Sequence, residues 1–483
     1  MNRRDFMVST VAMAAMAAIS PARAQEPFGA FGKAWRSAPD QGYPKRGMKL
    51  LSGIIPNDLS GTYFLNGPAN HDRGGERNEH WFDGDGMIHA FRFGRGTPTH
   101  EGRFIETSKR KAEIEAGRFL YPVFDTMPKN PAPVMSSNDV NAANISVVER
   151  GGELWALWEG GSPTAINPND LSTKGVVPIS NDLVCTPFSA HPRIDRSGTM
   201  WGYGFDSFGG RAILSEIAPD GSLRRFNLIR NLPRSMVHDF ISTEKHLILG
   251  CAPFWLTQFE PMPWLDRFRW QPNEARVYVV IDKETLTEVR RYETPAAFQF
   301  HHFDGFEEKD GTIRFAACSY PDASWVQTEA RAVMDGVPYT GTREAHFERI
   351  TLRPDGRVDV EADGQSAEFP VGDPRFVNTP TMQWNVGRAR DEGRLNHSLI
   401  ARKPDGEIAV QWNGPDDTFL GEHVAIPRAN GGGYLIGVQF DTTLGRSLLS
   451  LFDGQNVGRG PLALWQLPDS IPAALHGTWV ASA

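Results

Sequence analysis

A recurring turn sequence limits this chain to folds built from many short hairpins. Pro-Asp-Gly occurs at 219–221, 354–356 and 404–406, each time between two short strand-like segments. Proline presets the backbone angle φ early in the turn, and glycine accepts the positive φ that tight hairpins need. Each occurrence therefore predicts a pair of antiparallel strands. Similar segments continue to the C-terminus, and helical periodicity is scarce.

The abundance of hairpins predicts an all-β fold that closes on itself. The chain has 483 residues, which is far more than one β-sandwich uses. A closed, repetitive set of sheets such as a β-propeller accommodates many short strands without long open edges. No tryptophan–aspartate repeat with a period of about 40 residues marks individual blades. We expect one β-propeller domain over residues 48–483, preceded by a polar leader at 25–47.

The first 24 residues have the composition of an export signal. Arg3 and Arg4 precede an apolar run from Val8 to Ile19, and Ala22-Arg23-Ala24 offers a cleavage site. The apolar run is shorter than the about 20 residues that span a bilayer. The paired arginines resemble a twin-arginine signal, read by bacterial Tat machinery that exports folded proteins. A general secretory signal is the alternative, and with either we expect a periplasmic or otherwise exported protein.

Charge and cysteine content argue against two other classes of protein. The chain carries 50 Lys and Arg against 58 Asp and Glu, without the basic stripe that nucleic-acid binding requires. Its three cysteines, Cys185, Cys251 and Cys318, each lie in an apolar strand-like segment. This setting predicts buried thiols and not a disulfide framework.

Two aspartates separated by one residue suggest a calcium loop at first sight. Asp83 and Asp85 lie in the sequence Phe82-Asp83-Gly84-Asp85-Gly86. The segment lacks the later bidentate glutamate and the spacing of a calcium-binding loop. We therefore expect a structural turn of the hairpin type.

Four histidines share a setting at the edge of a strand-like run: His191, His238, His301 and His476. No two of them have a local metal-site spacing such as His-Glu-x-x-His. Imidazoles from different blades of a propeller can converge on its axis, so wide separation in sequence is compatible with one shared metal. Taken singly, each histidine fits a hydrogen-bonded structural role better.

A series of ordered motifs resembles one known family. The motifs are LSGTYFLNGP at 59–68, HWFDGDGMIH at 80–89, ELWALWEGG at 153–161, SAHPRID at 189–195, HDFISTEKH at 238–246, FHHFDGFEE at 300–308, GEHVAIPR at 421–428 and LHGTW at 475–479. They resemble the carotenoid cleavage oxygenases, which include apocarotenoid- and stilbene-cleaving enzymes and a retinoid isomerohydrolase. The resemblance runs from about Leu51 to Val480.

The resemblance implies a seven-bladed β-propeller whose loops and short helices form a cap over an axial metal site. It implies one Fe(II) per chain, bound by His191, His238, His301 and His476. His302 is then a neighbour and not a ligand, because adjacent residues of a strand face opposite ways.

Three glutamates also correspond to family positions. By the resemblance, Glu159, Glu368 and Glu422 would orient His238, His301 and His476. A carboxylate that accepts the second N–H of an imidazole fixes its tautomer and its angle towards the metal.

Several positions depart from the family pattern. Leu65, Asp304 and Leu475 stand where relatives commonly carry Arg, Asn and Phe. Ile145 replaces a threonine that many bacterial members place near the open iron position. The neutral segment 136–138 offers no counterpart of the lysine that helps stilbene-cleaving members, which disfavours a stilbene substrate.

These features predict a dioxygenase that cleaves a C=C bond of a carotenoid or apocarotenoid into two carbonyl products. Iron and dioxygen would supply the reactivity, while the protein positions the bond. The alternatives are the same chemistry on a stilbenoid or phenylpropanoid alkene, a non-catalytic periplasmic propeller that binds apolar ligands, and isomerohydrolase activity.

An aromatic stretch at 253–270 bears on membrane contact. It is rich in Phe and Trp and is interrupted by prolines. In relatives, this region contributes to an apolar patch at a tunnel mouth, which implies possible peripheral membrane contact here. A large loop folded over its own aromatics is the alternative.

Overall fold

The computed structural model describes residues 31–180, 186–334, 344–388, 396–428 and 432–482. The signal predicted at 1–24 and the thiol of Cys185 lie outside these residues. Within them, no helix has both the length and the apolar character that a membrane crossing requires.

Short strands account for most of the described chain. The first part contains β1 (Tyr43–Gly47), β2 (Lys49–Gly53), β3 (Gly61–Asn70), β4 (Asp72–Arg73), β5 (Glu76–Arg77), β6 (Asp85–Phe93), β7 (Thr99–Phe104), β8 (Ser146–Arg150), β9 (Glu153–Leu157), β10 (Thr164–Ile166), β11 (Thr173–Val176), β12 (Arg193–Ile194), β13 (Met200–Asp206), β14 (Arg211–Ile217), β15 (Leu223–Ile229), β16 (Phe240–Ser242) and β17 (His246–Cys251). The second part contains β18 (Phe254–Leu256), β19 (Phe268–Trp270), β20 (Arg276–Asp282), β21 (Thr287–Thr294), β22 (Phe298–His302), β23 (Phe306–Glu307), β24 (Ile313–Tyr320), β25 (His346–Leu352), β26 (Val358–Ser366), β27 (Glu368–Gly372), β28 (Gln383–Gly387), β29 (Ser398–Arg402), β30 (Ile408–Asn413), β31 (Thr418–Pro427), β32 (Gly433–Asp441), β33 (Arg446–Asp453), β34 (Ala463–Gln466) and β35 (His476–Ala481).

Helices in the described residues are few and short. The α-helices are α1 (Ser108–Ala116) and α2 (Ala330–Ala332), and a π-helical turn, Trp325–Glu329, leads directly into α2. Single 3₁₀ turns occur at Phe31–Trp35, Trp81–Asp83, Ser137–Val140, Leu265–Arg267 and Val457–Arg459.

Seven antiparallel sheets form the blades of a propeller. In chain order of their main strands, their strand orders are β1-β7-β6-β3-β35, β11-β10-β9-β8, β12-β13-β14-β15, β16-β17-β20-β21, β22-β24-β25-β26, β27-β28-β29-β30 and β2-β34-β33-β32-β31. Two small hairpins, β4-β5 and β18-β19, lie outside the blades. The predicted all-β, seven-bladed propeller with short helical segments is therefore confirmed.

The ring closes by exchanging terminal strands between the first and last blades. The C-terminal strand β35 pairs with β3 of the first blade, with His476 opposite Asn66. The N-terminal strand β2 pairs with β34 of the last blade. These two pairings join the first and last blades into a closed ring. Closure is how propellers avoid long exposed sheet edges.

One edge of each blade faces the propeller axis. Six blades place β8, β12, β16, β22, β27 or β31 at the same edge, and β35 takes this position in the first blade. Around the axis, β16 contacts β22, β22 contacts β27, β27 contacts β31, β31 contacts β35, and β35 contacts β8. Side chains at the ends of these strands can therefore meet, although they are far apart in sequence.

Apolar side chains between neighbouring blades form the core. For example, Tyr203 and Leu214 of one blade pack with Phe240, Leu249 and Val279 of the next. Such positions alternate along each strand because successive side chains point to opposite faces of a sheet.

Two of the three cysteines belong to these buried layers. Cys251 ends β17, Cys318 lies in β24, and both are buried free thiols. The prediction of buried thiols is confirmed for these two.

The three Pro-Asp-Gly sequences form hairpin turns as predicted. They connect β14 to β15, β25 to β26 and β29 to β30. Gly221 has φ +87°, which glycine adopts without the steric cost of a Cβ. In the first turn, the carboxylate of Asp220 accepts the backbone N–H of Ser222 at 2.9 Å and so fixes the loop.

The segment predicted as a polar leader takes part in the fold. Its last residues form β1, which pairs with β7 of the first blade. Trp35 is buried, with its ring 6.0 Å from Trp81 and 6.1 Å from Phe419. The sequence around Trp35 is polar and does not predict that this residue is buried, because a single aromatic residue sets no periodic pattern.

Asp83 and Asp85 have structural roles, but the expected hairpin is wrong. Asp83 ends a 3₁₀ turn, and its carboxylate accepts backbone N–H groups of Asp125 and Thr126 at 3.0 and 2.9 Å. Asp85 begins β6 and binds Lys109 at 2.9 Å. Both carboxylates are thus committed to holding the loop and helix that follow the first blade.

Buried neutral histidines make the stability of the fold depend on pH. Burial lowers the pKa of His71 and of His100 to about 3, from an ordinary value of about 6.5. His100 lies 3.0 Å from the ring nitrogen of His89, which is also buried. These imidazoles must stay neutral in the folded chain, whereas the unfolded chain protonates them freely.

We predict that the free energy of unfolding falls as the pH drops from about 7.5 to about 5, because the unfolded state then binds more protons. Each of His71 and His100 contributes about 2 kcal/mol to this fall. Urea unfolding at the two pH values measures it. In His100→Gln the fall should be smaller by about 2 kcal/mol. An unchanged pH dependence in that variant would contradict the assignment.

Candidate metal centre

Four histidines from four blades meet at the axis. His191 and His238 lie just before β12 and β16, His301 lies in β22, and His476 is the first residue of β35. One ring nitrogen from each lies within 4.8 Å of the others. The structure thus brings together all four histidines that the sequence singled out.

Three of the four imidazoles donate to a glutamate carboxylate behind them. The Nδ1 atoms of His238, His301 and His476 lie 2.7, 2.5 and 2.9 Å from carboxylate oxygens. Their partners are, in the same order, Glu159, Glu368 and Glu422. These are the pairs expected from the resemblance. Because Nδ1 is occupied, Nε2 is the nitrogen left to face the axis.

The carboxylates are themselves fixed by further hydrogen bonds. Glu368 accepts the hydroxyl of Tyr320 at 2.8 Å and the backbone N–H of Phe369 at 2.9 Å. Glu422 accepts the backbone N–H of Gly477 at 2.8 Å. Burial alone would raise the pKa of Glu368, but the neighbouring His301 and these hydrogen bonds lower it below its ordinary value. The carboxylate therefore remains ionised.

His191 differs from the other three, since no glutamate stands behind it. Its backbone N–H donates to the hydroxyl of Ser189 at 3.0 Å, and its Nε2 lies 2.9 Å from Nε2 of His238. Burial lowers the pKa of His191 well below its ordinary value, and the neighbouring imidazoles lower it further. A neutral imidazole is the form that binds metal.

The four donors fit a metal ion. Two nitrogens on opposite sides of an ion lie about 4.2 Å apart when each bond is about 2.1 Å, close to the 4.8 Å limit here. Nε2 of His301 is buried and has no hydrogen-bond partner among the described residues. Three carboxylates surround the cluster and offset the charge of a divalent cation. Imidazole donors suit iron among other transition metals.

Arg193 ties the strands of three ligands together. Its guanidinium donates to both carboxylate oxygens of Asp239 at 2.9 and 2.8 Å, and to the backbone carbonyls of Phe240 at 2.8 Å and His302 at 3.2 Å. It also lies 3.3 Å from Asp304. These residues follow His191, His238 and His301 by one to three positions. One side chain thus sets the spacing of three blades immediately beside the imidazoles.

His302 lies next to the cluster but faces away from it. Its ring is buried, and its Nδ1 lies 3.5 Å from the carboxylate of Asp239. The strand alternation that places His301 at the axis turns His302 towards the blade interior, as expected.

A cavity opens directly onto three of the imidazoles. It has a volume of about 940 Å³, part of it open to solvent, and is lined by His238, His301 and His476. Its walls are mainly aromatic: Trp35, Trp81, Phe82, Phe300, Tyr320, Trp325, Phe369 and Phe419. Such a lining fits an elongated apolar ligand.

Ile145 and Leu475 line the same cavity as His476. Both side chains are buried. The backbone carbonyl of Ile145 accepts the backbone N–H of His476 at 3.2 Å, so the two residues lie on adjacent chain segments. Ile145 therefore adds an apolar group to the wall of the cavity that His476 also lines.

Phe369 is held in a strained conformation at the same site. Its φ is +50°, a region that bulky residues rarely adopt. Its ring centroid lies 5.5 Å from that of His301 and 5.3 Å from that of His476. The strain, of order 1–3 kcal/mol, accompanies a ring that packs against two imidazoles.

The aromatic stretch 253–270 divides into a buried and an exposed part. Phe254 and Phe268, on the paired strands β18 and β19, are buried in a cluster that also contains Phe300. The loop between these strands presents Phe259, which is 55% exposed and lies 6.1 Å from the ring of the exposed Phe208. The paired strands thus contribute to the core, and the loop between them carries an exposed aromatic ring.

Sequence reasoning missed three contributors to the site. Arg193 and Asp239 lie inside the histidine motifs, yet they received no role. The available signal was a pair of opposite charges adjacent to histidines in otherwise apolar strands. Trp35 was missed because it lies in the polar leader.

Comparison with known proteins agrees with this geometry. The sequence profile of the family described as retinal pigment epithelial membrane protein matches residues 38–481. Apocarotenoid-15,15'-oxygenase of Synechocystis is 29% identical over 459 residues, covering 89% of this chain and 92% of that protein. Lignostilbene-alpha,beta-dioxygenase isozyme III of Sphingomonas paucimobilis is 26% identical, covering 89% and 92%.

A solved structure shares the whole architecture. Cobalt-substituted Synechocystis apocarotenoid oxygenase superposes with a TM-score of 0.82 at 25% identity, covering 94% of this chain and 99% of that one. The family match spans nearly all of the described propeller. The chain therefore belongs to the carotenoid cleavage oxygenase family and is a dioxygenase-type enzyme.

Proposed function

We propose that this enzyme binds one Fe(II) ion through His191, His238, His301 and His476 and cleaves a C=C bond of a carotenoid or apocarotenoid. One molecule of dioxygen is consumed, and each carbon of the broken double bond becomes a carbonyl carbon. The observation that carries the proposal is the convergence of four imidazole nitrogens within 4.8 Å, with three of these imidazoles lining a cavity rich in aromatic side chains. Similarity to the Synechocystis apocarotenoid oxygenase supports it.

The side chains around the cavity supply position and desolvation. When bound, Fe(II) would supply the dioxygen chemistry that side chains lack. Glu159, Glu368 and Glu422 hold the N–H groups of their histidines, so the imidazoles keep a fixed direction. The aromatic walls exclude water and hold a rigid polyene in one register, which determines which bond lies above the imidazoles.

The described cavity holds no obvious protein nucleophile for the reaction. Besides the histidines, its polar lining consists of carboxylates, a guanidinium, a phenol, an amide and one hydroxyl, Ser366. Tyr320 donates its hydroxyl to Glu368 and is thereby engaged in orienting His301. We infer that these residues orient and hold groups, and that none attacks the substrate.

A stilbenoid or phenylpropanoid alkene is the second candidate substrate. The observation that favours it is the 26% identity to lignostilbene-alpha,beta-dioxygenase isozyme III. The carotenoid proposal is better supported by the aromatic side chains that line the cavity and by Ile145, which adds an apolar side chain to the same lining. Product analysis separates the two.

We predict that anaerobically loaded protein binds one iron per chain and, with ¹⁸O-labelled dioxygen, converts apocarotenals into two labelled carbonyl products. Stilbenes should react more slowly. His238→Ala should lose stoichiometric iron and cleavage together, because it removes a donor. Cleavage of stilbenes alone would favour the second substrate class. Stable protein without iron and without oxygen consumption would indicate a non-catalytic binding propeller instead.

We predict that Arg193→Gln weakens Fe(II) and Co(II) binding by about 10- to 100-fold, the usual effect of losing a group that orients metal ligands. Chelator competition under anaerobic conditions measures the affinity. Arg402→Gln is the control, because Arg402 is equally committed to a buried ion pair, with Asp363 at 2.5 Å, but does not contact the histidine strands. Equal metal affinity in both variants would contradict a positioning role for Arg193.

We further propose that the protein is exported by the Tat machinery and touches a membrane peripherally. Residues 1–24 support the first part by sequence alone. The second part is supported by Phe208 and Phe259, whose exposed rings lie beside the cationic side chains of Arg267 and Arg234. Aromatic rings with adjacent arginines suit the interface of an anionic bilayer.

Fractionation of bacterial cells tests both parts. The full chain should occur in the periplasm, partly associated with membranes, and Arg3→Lys with Arg4→Lys should retain it in the cytoplasm. Phe208→Ser with Phe259→Ser should shift exported protein from the membrane to the soluble fraction. Export that ignores the arginine substitutions would favour a general secretory signal. Membrane association that ignores the phenylalanine substitutions would contradict the proposed contact.

A further inference from the structure

One wall of the cavity is a short helix with an irregular first turn. The π-helical turn and α2 that follows it, residues 325–332, are called the wall helix below. Trp325 and Ala330 line the cavity. The Trp325 ring centroid lies 5.6 Å from that of Phe300 and 5.8 Å from that of Tyr320. A π-helical turn is rare in proteins and is frequently found at functional sites. The contacts that hold this turn therefore bear on the shape of the cavity.

The buried imidazole of His80 holds the start of the wall helix. Its Nδ1 accepts the backbone N–H of Phe82 at 3.0 Å, so Nδ1 carries no proton. Nε2 is then the protonated nitrogen, and it donates to the backbone carbonyl of Val326 at 3.0 Å. Burial lowers the pKa of His80 to about 4, which keeps the ring neutral. The ring also packs against Phe124, with centroids 5.1 Å apart. The carbonyl next to Trp325 is thus fixed by one N–H group.

The other end of the wall helix is connected to the same segment of the chain. The carboxylate of Asp83 accepts the backbone N–H of Asp125 at 3.0 Å. The carboxylate of Asp125 forms an ion pair with Arg331 of the wall helix. The guanidinium of Arg331 also donates to Asp266 at 2.8 Å. Residues 80–83 therefore reach both ends of the helix, directly at the first end and through Asp125 at the second.

The two ring nitrogens of His80 serve different parts of the fold. Nδ1 caps the 3₁₀ turn Trp81–Asp83, which is a local role within the segment. Nε2 contacts Val326, which is 246 residues away in sequence. An asparagine can reproduce the Nδ1 contact but is too short to reach Val326, whereas the amide N–H of a glutamine can lie where Nε2 lies. Substitution can therefore separate the two roles.

We infer that His80 is a positioning residue for the cavity, an inference that rests on the proposed cleavage of an alkene. By holding the carbonyl of Val326, it keeps the Trp325 ring against Phe300. The Phe300 ring in turn lies 5.3 Å from the ring of His238, a member of the metal-binding cluster. An elongated substrate touches this wall along its length. A displaced Trp325 therefore changes which double bond lies opposite the imidazoles.

Fluorine NMR tests the inference without catalysis. Iron-loaded, oxygen-free protein is labelled with fluorotryptophan, and the Trp325 resonance is assigned by its loss in Trp325→Phe. We expect His80→Asn to shift this resonance, because only the Nε2 contact is lost, and His80→Gln to restore its position. His100→Asn is the matched control, a buried imidazole of β7 outside the cavity, and should leave it unchanged. An unmoved resonance in His80→Asn would overturn the inference, as would a shift confined to His80→Gln.

Product analysis then connects the position of Trp325 with the reaction. In air, His80→Asn should keep one iron per chain but cleave an apocarotenal about tenfold more slowly or worse, with more scission at neighbouring double bonds. His80→Gln should recover the rate and the product ratio. A shifted resonance with unchanged rate and products would refute the role in the reaction. Absence of cleavage by the unsubstituted protein would refute the proposed function alone, since the resonance still reports on the wall helix.

A second variant covers the case in which His80→Asn does not fold. Arg331 is 32% exposed, so Arg331→Gln disturbs the interior less. It releases the far end of the wall helix from Asp125 and Asp266, and the Trp325 resonance should shift in this variant too. If Arg331→Gln is the only folded variant of the two, an unmoved resonance in it overturns the inference.

Discussion

The guanidinium of Arg193 sets the geometry on which the centre of this propeller depends. It is a planar fork with five N–H groups, and it reaches the carboxylate and carbonyls of two neighbouring blades from a third. Propeller blades can slide relative to one another, because their contacts are mostly apolar and lack direction. A multidentate polar contact beside the axis removes this freedom where the position of an imidazole matters most.

Electrostatic balance follows from the same arrangement. Neutral imidazoles cannot by themselves compensate the charge of a divalent cation, but three glutamates stand behind the histidines. Because the carboxylates contact the outer Nδ1 atoms, they would stabilise the charge of a bound ion without coordinating it, and the side of the cluster that faces the cavity would stay open to other ligands. The imidazoles would coordinate the ion and the glutamates would balance its charge, whereas a directly ligating carboxylate would do both.

Sequence reasoning succeeded where local chemistry is repeated and failed where single residues act across the fold. The Pro-Asp-Gly turns predicted hairpins because their backbone requirements are local, and the propeller followed from their number. Histidine spacing predicted nothing, since ligands from different blades have no characteristic separation. Only the motifs around His191, His238, His301 and His476 distinguished them from nine other histidines. Trp35 gave no signal, because its partners Trp81 and Phe419 are set by packing in the fold and not by neighbours in sequence.

The closing strand β35 has a consequence for when the centre can form. His476 is its first residue, and the strand reaches the axis by pairing with β3 of the first blade. The other three histidines belong to blades that are each built from consecutive strands. The fourth imidazole therefore joins the cluster only when the ring closes. A chain that folds its blades but does not dock β35 holds three of the four nitrogen donors, so closure of the ring and completion of the donor set are a single event.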